Sequence, residues 1–476
     1  MRSIRAIALA LLLTYPAQAA DLPDLGEIAR SSLTAGQEAK LGREIMARIR
    51  TDRDFVDDAD LTEYLNALGE RLAAASEDPS RRFEFFVVRD ATLNAFALPG
   101  GYIGVHTGLI AATRNESELA GVLAHEIAHV TQNHLARMVK AQEGTTLATL
   151  AALAVAILAA RSNSQAGQGA IMAAQALSVQ NQLDFTREHE READRVGFQT
   201  LSHAGFDPAG MVSFFERLQA QGRLYEISAP AYLRTHPLTY ERIADMQNRA
   251  QGLPYHQVAD SLEYRLLRAE LQAQEGEAAD AVKRFASQDY ADETDEAARH
   301  FGLAAAYLRA NQAERAAAEL QAIPRKLARM PAVAGLLAET AFARGRGAEA
   351  LGLLRAGLSA NPDSRPLAYA YAKGLLRQGQ SGSAAEYLRK QLALHPDDPR
   401  LFELQAQAYQ ASRREMESHM AQAEAYVRRY QYRAAIEQLQ LALKSGDKDF
   451  YKLSIAEARL RQLQELEKQN RPINSY

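Results

Sequence analysis

Apolar residues recur every three or four positions along most of the chain, a spacing that places them on one face of a helix. Over residues 35–75 the apolar positions include Leu41, Ile45, Ile49, Leu61, Leu65 and Leu68. Residues 83–88 and 102–106 differ, because they are short runs rich in β-branched and aromatic residues, as is typical of strands. The segment 98–101, with a proline and two glycines, predicts a tight turn. The first 250 residues are therefore predicted to form helices around a small sheet.

Beyond Pro254 the helices become rich in alanine and leucine, and similar residues recur at an offset of 34. The matching residues are Pro362 and Pro396, Asn361 and His395, Leu354 and Leu388, Leu358 and Leu392, Arg344 and Gln378, and the series Ala316, Ala350 and Ala384. A unit of two helices with this length resembles the tetratricopeptide repeat. We expect four or five units, with a break in register near Ser418, stacked into a curved solenoid with a concave binding surface.

The first 19 residues are predicted to be a signal peptide. Arg2 and Arg5 precede an apolar run over 6–15, and residues 16–19 have the small-x-small pattern that a signal peptidase recognises. A membrane anchor is the alternative, but the run is shorter than the ~20 apolar residues that spanning requires. We predict cleavage after Ala19 and export to a bacterial periplasm.

A second apolar stretch, residues 145–160, is rich in alanine and 16 residues long. As a helix it would measure about 24 Å, less than the hydrocarbon core of a bilayer at about 30 Å. We predict that it forms part of a helical hairpin and does not span a membrane. The hairpin is expected to pack on the fold, and the alternative is a surface that covers an active site or touches lipid.

Composition limits the chemistry that the chain can perform. The 476 residues include 55 basic and 59 acidic residues, and a net charge of −4 argues against a nucleic-acid partner. Cysteine is absent, so disulfides, thiolate nucleophiles and cysteine-ligated zinc are excluded. Any bound metal must therefore be held by histidine and carboxylate side chains.

The candidate chemistry lies in the sequence His125-Glu126-Ile127-Ala128-His129, within a stretch predicted to be helical. Residues four apart share a helix face, so both imidazoles can bind one ion while Glu126 reaches a water in an open coordination position. With 11 histidines in the chain, about 0.03 such strings are expected by chance. The spacing predicts one zinc ion per chain.

Two histidines leave zinc in need of a third protein ligand. A metzincin would place glycine at 132 and histidine at 135, but the chain has Gln132 and Leu135, which excludes that class. His134 is one position short, and we expect it to be an ordinary exposed histidine on the wrong side of the helix. The third ligand is therefore expected to be a carboxylate from a later helix.

The densest acidic segment downstream is 188–194. Glu190 and Asp194 share a helix face, so Glu190 could bind zinc while Asp194 accepts the free N–H of a zinc-bound histidine. Glu188 and Glu192 have the same spacing and form a second candidate pair. Spacing favours the first pair without excluding the second.

Three segments together resemble the HExxH gluzincin peptidases, which include HtpX and the CAAX prenyl proteases. These are 125–129, 94–101 and 190–194, and they occur in the order found in that family. The resemblance implies that Glu190 is the third zinc ligand and that Asp194 supports the site. The signal peptide and the repeats are consistent with a soluble branch of the family that lacks membrane-spanning helices.

Two residues further along the chain are also candidates. The residues alone place His236 in a loop before Thr239, which is expected to cap a helix. The resemblance implies that His236 occupies the fourth coordination site at rest and keeps the enzyme latent. Arg242 is expected either to stabilise the oxyanion of the tetrahedral intermediate or to form a surface salt bridge.

This set of residues predicts a zinc endopeptidase. Zinc lowers the pKa of its bound water and polarises the scissile carbonyl, while Glu126 accepts a proton from the water and transfers it to the leaving amine. We expect the strand 102–106 to be an exposed edge to which an extended substrate adds. An interior strand is the alternative.

The whole chain is thus predicted to be mainly α. A signal peptide over 1–19 precedes a helical zincin-like metalloprotease domain with a small β-sheet over 20–253, and an α-solenoid of tetratricopeptide repeats follows over 254–476. The resemblance implies a protease and chaperone of the Gram-negative periplasm that acts on unfolded or stalled outer-membrane β-barrel proteins, with repeats that bind the β-barrel assembly machinery. The alternatives are a chaperone or adaptor with a non-catalytic metal site, and a general scavenger of misfolded chains.

Overall fold

The computed structural model describes residues 34–141, 179–224, 232–233, 236–253 and 258–469. The predicted signal peptide over 1–19 and the apolar stretch over 145–160 lie outside the described residues. Among the helices in the described ranges, none combines the length and the apolar character needed to cross a bilayer.

The N-terminal half, residues 34–253, consists of helices around a three-stranded sheet, as predicted. Its elements in chain order are α1 (Ala35–Ile49), α2 (Ala59–Ala74), β1 (Glu84–Val88), β2 (Ala95–Leu98), β3 (Tyr102–His106), α3 (Thr107–Ala112), α4 (Glu116–Thr131), α5 (His134–Ala141), α6 (Val179–His203), α7 (Ala209–Leu224) and α8 (Tyr240–Gln251).

Several of these helices begin at a side chain that accepts a backbone N–H group. Thr34 caps α1 and forms a reciprocal capping box with Gln37, Asp58 caps α2, and Asn115 caps α4. Thr239 caps α8, which confirms its predicted role. Each cap satisfies a donor that the helix cannot pair internally, so these local residues determine where the helices start.

The sheet has the order β1-β3-β2, with β3 parallel to β1 and antiparallel to β2. The prediction that 102–106 is an exposed edge was wrong, because β3 is the central strand. The sequence did not predict β2, which is only four residues long and directly precedes the turn. Gly100 and Gly101 have φ angles of 81° and 82°, and this left-handed turn folds β2 back onto β3.

Helix α4 lies at the centre of the N-terminal half and is buried on all sides. It packs against α6, α7, α2 and β2. Glycines allow the closest approaches: a Cβ at Gly197 of α6 would lie 3.0 Å from the Cα of His125, and one at Gly210 of α7 would lie 2.7 Å from the carbonyl carbon of Ser117. The helix that carries the candidate chemistry is thus held by direct backbone contact with its neighbours.

The C-terminal half, residues 258–469, is an array of helical hairpins. Its helices are α9 (Leu262–Gln274), α10 (Ala278–Ala286), α11 (Glu293–Arg309), α12 (Ala313–Ala322), α13 (Pro331–Ala343), α14 (Gly347–Ala360), α15 (Arg365–Arg377), α16 (Ser381–Leu394), α17 (Pro399–Ala411), α18 (Glu415–Arg428), α19 (Tyr432–Lys444) and α20 (Phe450–Gln469).

The 34-residue repeat is confirmed by the starting points of these helices. Helices α13, α15 and α17 begin at 331, 365 and 399, and α14, α16 and α18 begin at 347, 381 and 415. The small residues Ala316, Ala350 and Ala384 are fully buried, as expected where two helices cross. The expected number of units was too low, since the described residues 258–469 form six hairpins. The register breaks after α18 and not near Ser418.

The two halves contact each other near the start of α4. The Glu116 carboxylate accepts hydrogen bonds from the backbone N–H and the hydroxyl of Ser261, at 2.8 and 2.7 Å. Asp260 accepts the backbone N–H of Glu116 at 2.7 Å. Farther along the repeats, Arg400 lies 2.8 Å from the carboxylate of Asp57. The first repeat is therefore joined by hydrogen bonds to the central helix of the N-terminal half.

Gly210→Ala is expected to lower the free energy of unfolding by about 1–3 kcal/mol, because the new methyl group would overpack against the α4 backbone. Urea unfolding measures this change. Gly382→Ala is the matched control, since Gly382 is also the second residue of a helix but has nothing within 4 Å of the new Cβ. Equal effects of the two substitutions would contradict the tight contact between α4 and α7.

Candidate metal centre and active site

Four side chains converge in the interior of the N-terminal half. His125 and His129 come from α4, Glu190 comes from α6, and His236 precedes α8, with one ligand atom of each within 4.8 Å of the others. The two histidine Nε2 atoms of α4 are 3.0 Å apart, and the Nδ1 of His236 lies 3.0 Å from Oε1 of Glu190. The structure thus brings together the four predicted metal ligands.

The two candidate acidic pairs take different positions. The Glu190 carboxylate lies 3.4 Å from the Nε2 atoms of both His125 and His129, whereas Glu188 is exposed. Glu192 instead contacts His134 at 3.1 Å and Arg137 at 2.6 Å. Of the two pairs, only the one that contains Glu190 faces His125 and His129.

Close contact between α4 and α6 makes this convergence possible. Ala128 and Ala193 are fully buried and pack with Val196 in one small cluster. Because these side chains are small, the two helices approach closely enough for carboxylate and imidazole groups to meet. Gly197, one turn beyond Ala193, contacts the backbone of His125 for the same reason.

Glu126 is fully buried, and neither of its carboxylate oxygens has a hydrogen-bond partner among the described residues. The Nε2 atom of His236 lies 3.5 Å from Oε1 of Glu126. A buried carboxylate without a partner is costly unless a ligand or water completes its interactions. Together with the nitrogen and oxygen atoms that converge beside it, Glu126 fits a site that binds a divalent metal and a water molecule.

Asp194 and Arg242 contact the converging residues on the side of His125 and Glu190. The Asp194 carboxylate lies 3.1 Å from Nδ1 of His125 and accepts hydrogen bonds from Nε and Nη2 of Arg242, at 2.6 and 2.8 Å. Arg242 also lies 3.0 Å from Glu190 and donates to the Pro237 carbonyl at 2.7 Å. Asp194 is thus placed where it can orient a ligand histidine.

Arg242 is only 2% exposed, so the expectation of a surface salt bridge was wrong. The sequence could not show this, because the burial of Arg242 depends on how α8 packs against α6. Its N–H groups are directed at Asp194, Glu190 and a backbone carbonyl, and it does not line the cavity beside the site. This geometry favours a supporting role, and oxyanion stabilisation by Arg242 stays a prediction.

His134 is a site residue that the sequence pattern did not predict, and its expected exposure was wrong. It is 5% exposed, and its Nδ1 lies 2.9 Å from Nδ1 of His129. Asn133 has a φ angle of 52°, so the helix stops and α5 starts in a new direction at His134. The helical geometry assumed for His134 therefore does not apply. The asparagine itself was an available signal, because asparagine is common where helices end.

A cavity of about 210 Å³ opens beside the converging residues. Polar residues of the site line one part of this cavity, namely Glu126, His129, Glu190 and His236. The rest of its lining includes apolar residues of β2 and α5, namely Phe96, Leu98, Leu135 and Met138. The strand next to the cavity is therefore β2, which lies at the edge of the sheet. If an extended substrate adds to the sheet, β2 is the strand available to it rather than 102–106.

The pKa values of His125, Glu190 and Asp194 are shifted by burial and by the oppositely charged side chains around them. Burial opposes protonation of His125, but the Asp194 and Glu190 carboxylates outweigh burial and raise the pKa of His125 to about 9. Burial likewise opposes ionisation of the two carboxyl groups. His236 nevertheless holds the pKa of Glu190 well below its usual range, and Arg242 lowers the pKa of Asp194.

Comparison with known proteins identifies two regions of similarity. Residues 59–250 match peptidase family M48, and residues 341–408 match the tetratricopeptide repeat. A putative beta-barrel assembly-enhancing protease of Vibrio cholerae is 43% identical over 299 residues, and the match covers 62% of each chain. The chain thus spans less than two thirds of that relative.

Two other relatives differ in the share of their length that aligns with this chain. The beta-barrel assembly-enhancing protease of Escherichia coli is 32% identical over 459 residues, which cover 95% of this chain and 93% of the relative. The mitochondrial metalloendopeptidase OMA1 of Schizosaccharomyces pombe is 34% identical over 198 residues, which cover 41% of this chain and 54% of the relative.

The apparent affinity for zinc is expected to rise about tenfold per pH unit between pH 7 and 9, because His125 must lose a proton before it can bind a metal. Protonation of His125 also contributes to the free energy of unfolding of the metal-free protein. This contribution is fully present below pH 6.5 and is lost as the pH rises through about 9. Competition with a chelator at pH 7, 8 and 9 measures the affinity. Glu188→Gln, at an exposed position, is the control that should keep the same slope. A flat profile would contradict the raised pKa of His125.

Proposed function

The chain is a metalloendopeptidase that belongs to peptidase family M48 and carries tetratricopeptide repeats, and we propose that it is a latent zinc enzyme of the Gram-negative periplasm. In this proposal it cleaves stalled outer-membrane β-barrel proteins and also assists their assembly. The observation that carries the proposal is the buried carboxylate of Glu126, which has no hydrogen-bond partner among the described residues and lies beside three histidines and Glu190.

The ligand chemistry supports zinc as the metal. In our proposal His125, His129 and Glu190 hold one zinc ion per chain, and a donor set of imidazole nitrogens and a carboxylate suits zinc. When bound, zinc supplies a Lewis acid that polarises a carbonyl and makes a coordinated water more acidic. Glu126 is buried beside this group and has free acceptor capacity, so it can take a proton from water and return it to the leaving amine.

The position of His236 supports a latent resting state. Its Nδ1 lies within 3.4 Å of both Glu190 and Nε2 of His125, and its Nε2 lies 3.5 Å from Glu126. In this position His236 would compete with water both for a bound metal and for Glu126. A substrate would gain access when the segment that carries His236 moves away.

Different observations support the proposed location and the proposed partners. The basic, apolar and small residues of positions 1–19 support export to the periplasm. The relatives named beta-barrel assembly-enhancing proteases support a role with outer-membrane proteins as clients. The six hairpins within residues 258–469 offer an extended surface of the kind that binds proteins, and we propose that this surface recruits the barrel-assembly machinery.

Glu126→Gln is expected to reduce peptidase activity by at least about 100-fold, because glutamine cannot accept the proton of the attacking water. Zinc content, measured by elemental analysis, should stay at one ion per chain. Glu188→Gln serves as a matched control with full activity. If the Glu126 variant restores every barrel-assembly phenotype in cells, the chaperone or adaptor function is favoured over proteolysis.

His236→Ala is expected to increase the cleavage of an unfolded model substrate. If His236 occupies the site nine-tenths of the time, the gain is about tenfold, since the active fraction rises from about a tenth to all molecules. His203→Ala, at an exposed position at the end of α6, should cleave at the wild-type rate. An unchanged rate in the His236 variant would remove latency from the proposed function.

A further inference from the structure

We propose that His134 is a positioning residue for the metal site, which accepts the Nδ1–H of His129 and so fixes the tautomer and the ring orientation of that ligand. The inference rests on the proposed function, because it requires that His129 binds a metal. It concerns a residue outside the four converging ligands.

The geometry assigns opposite tasks to the two ring nitrogens of His129. Nε2 faces the ligand group, 3.0 Å from Nε2 of His125 and 3.4 Å from Glu190. To bind a metal, Nε2 must present a lone pair, so the hydrogen of the neutral ring must be on Nδ1. Nδ1 lies 2.9 Å from Nδ1 of His134, which must then act as the acceptor.

The contact between His134 and Glu192 determines which nitrogen of His134 accepts a hydrogen bond. Its Nε2 lies 3.1 Å from Oε2 of Glu192, and an ionised carboxylate can only accept a hydrogen bond. His134 therefore carries its hydrogen on Nε2 and leaves the Nδ1 lone pair for His129. Arg137 donates to the same Glu192 oxygen at 2.6 Å and keeps the carboxylate in place. One assignment of hydrogens satisfies every contact from Arg137 to His129.

The His134 ring is held rigidly enough to set an orientation. It stacks on His189 with ring centres 4.3 Å apart and planes 8° from parallel. It is 5% exposed, and Asn133 fixes the direction in which its helix starts. A buried ring with this packing has little freedom to rotate. The hydrogen bond from His129 to this fixed ring therefore restricts the orientation of the His129 ring.

The two metal-binding histidines of α4 thus have parallel supports. His125 is backed by Asp194, which Arg242 holds, and both are 2% exposed. His129 is backed by a neutral imidazole, which Glu192 holds. In each case an arginine anchors a carboxylate, but only the support of His129 uses a second histidine. Loss of His134 would leave the Nδ1–H of His129 without this acceptor and free its ring to turn.

Zinc affinity and cobalt absorption test this role without relying on catalysis. His134→Leu fills similar space but has no acceptor, and we expect it to weaken zinc binding 10- to 100-fold in chelator competition and to alter the visible spectrum of the cobalt-substituted protein. His134→Asn is the matched variant, because its Oδ1 can accept from His129 near the position of the lost Nδ1. It should bind zinc within about threefold of wild type and keep the wild-type cobalt spectrum.

A second pair of variants applies the same test farther from the ligands, where the risk of unfolding is smaller because the Glu192 side chain is 27% exposed. Glu192→Met removes the group that orients His134 and should weaken zinc binding. Glu192→Gln can still accept from His134 and should bind zinc nearly as wild type does. Thermal unfolding of the metal-free variants checks that each one folds.

Two results would overturn the inference. One is wild-type zinc affinity and an unchanged cobalt spectrum in His134→Leu. The other is equal weakening by the leucine and asparagine variants with folding intact, since that would mean that the ring acts by packing alone. A wild-type protein that binds no zinc would instead overturn the proposed function, so the two failures are distinguishable.

Discussion

The burial of several ionisable side chains in one part of the interior is the constraint on which the rest of the structure depends. Glu126, Glu190, Asp194 and Arg242 are each at most 2% exposed. Charges in such a place are tolerated only when they are paired or bind a cation. Arg242 pairs with Asp194 and Glu190, and the histidines surround Glu190. Glu126 alone among them has no hydrogen-bond partner in the described structure, and its closest recorded contact is His236 at 3.5 Å, so it is the group that remains available for chemistry.

The helices around this interior are arranged to keep the charged groups in place. Helix α4 is enclosed by α6 and α7, and the contacts at Gly197 and Gly210 leave no space for a side chain. The start of α4 is anchored by Glu116, which bonds to Ser261 of the first repeat. The solenoid is thus connected to the helix that carries His125 and His129. A partner bound on the repeats would act on a unit that is physically continuous with the site.

The sequence was a reliable guide wherever the relevant geometry was local. The i, i+4 spacing of His125 and His129, the cap at Thr239 and the 34-residue offset of the repeats were all predicted and are all present. Each depends on a helix of known pitch or on neighbouring residues. Three of the errors concern the central position of strand 102–106, the burial of Arg242 and the direction of His134. Each of these depends on a turn or on packing between distant segments.

The sequence by itself therefore determined the helical character, the repeat and the identity of the residues able to bind a metal. Only the tertiary structure decided which carboxylate joins the histidines, since Glu190 and Glu192 lie on one helix and the packing of α6 on α4 turns Glu190 towards the site. It also decided that His134 supports His129, because the left-handed residue Asn133 redirects the chain between them. Periodicity defines the faces of a helix, but the contacts between helices decide which face meets which side chain.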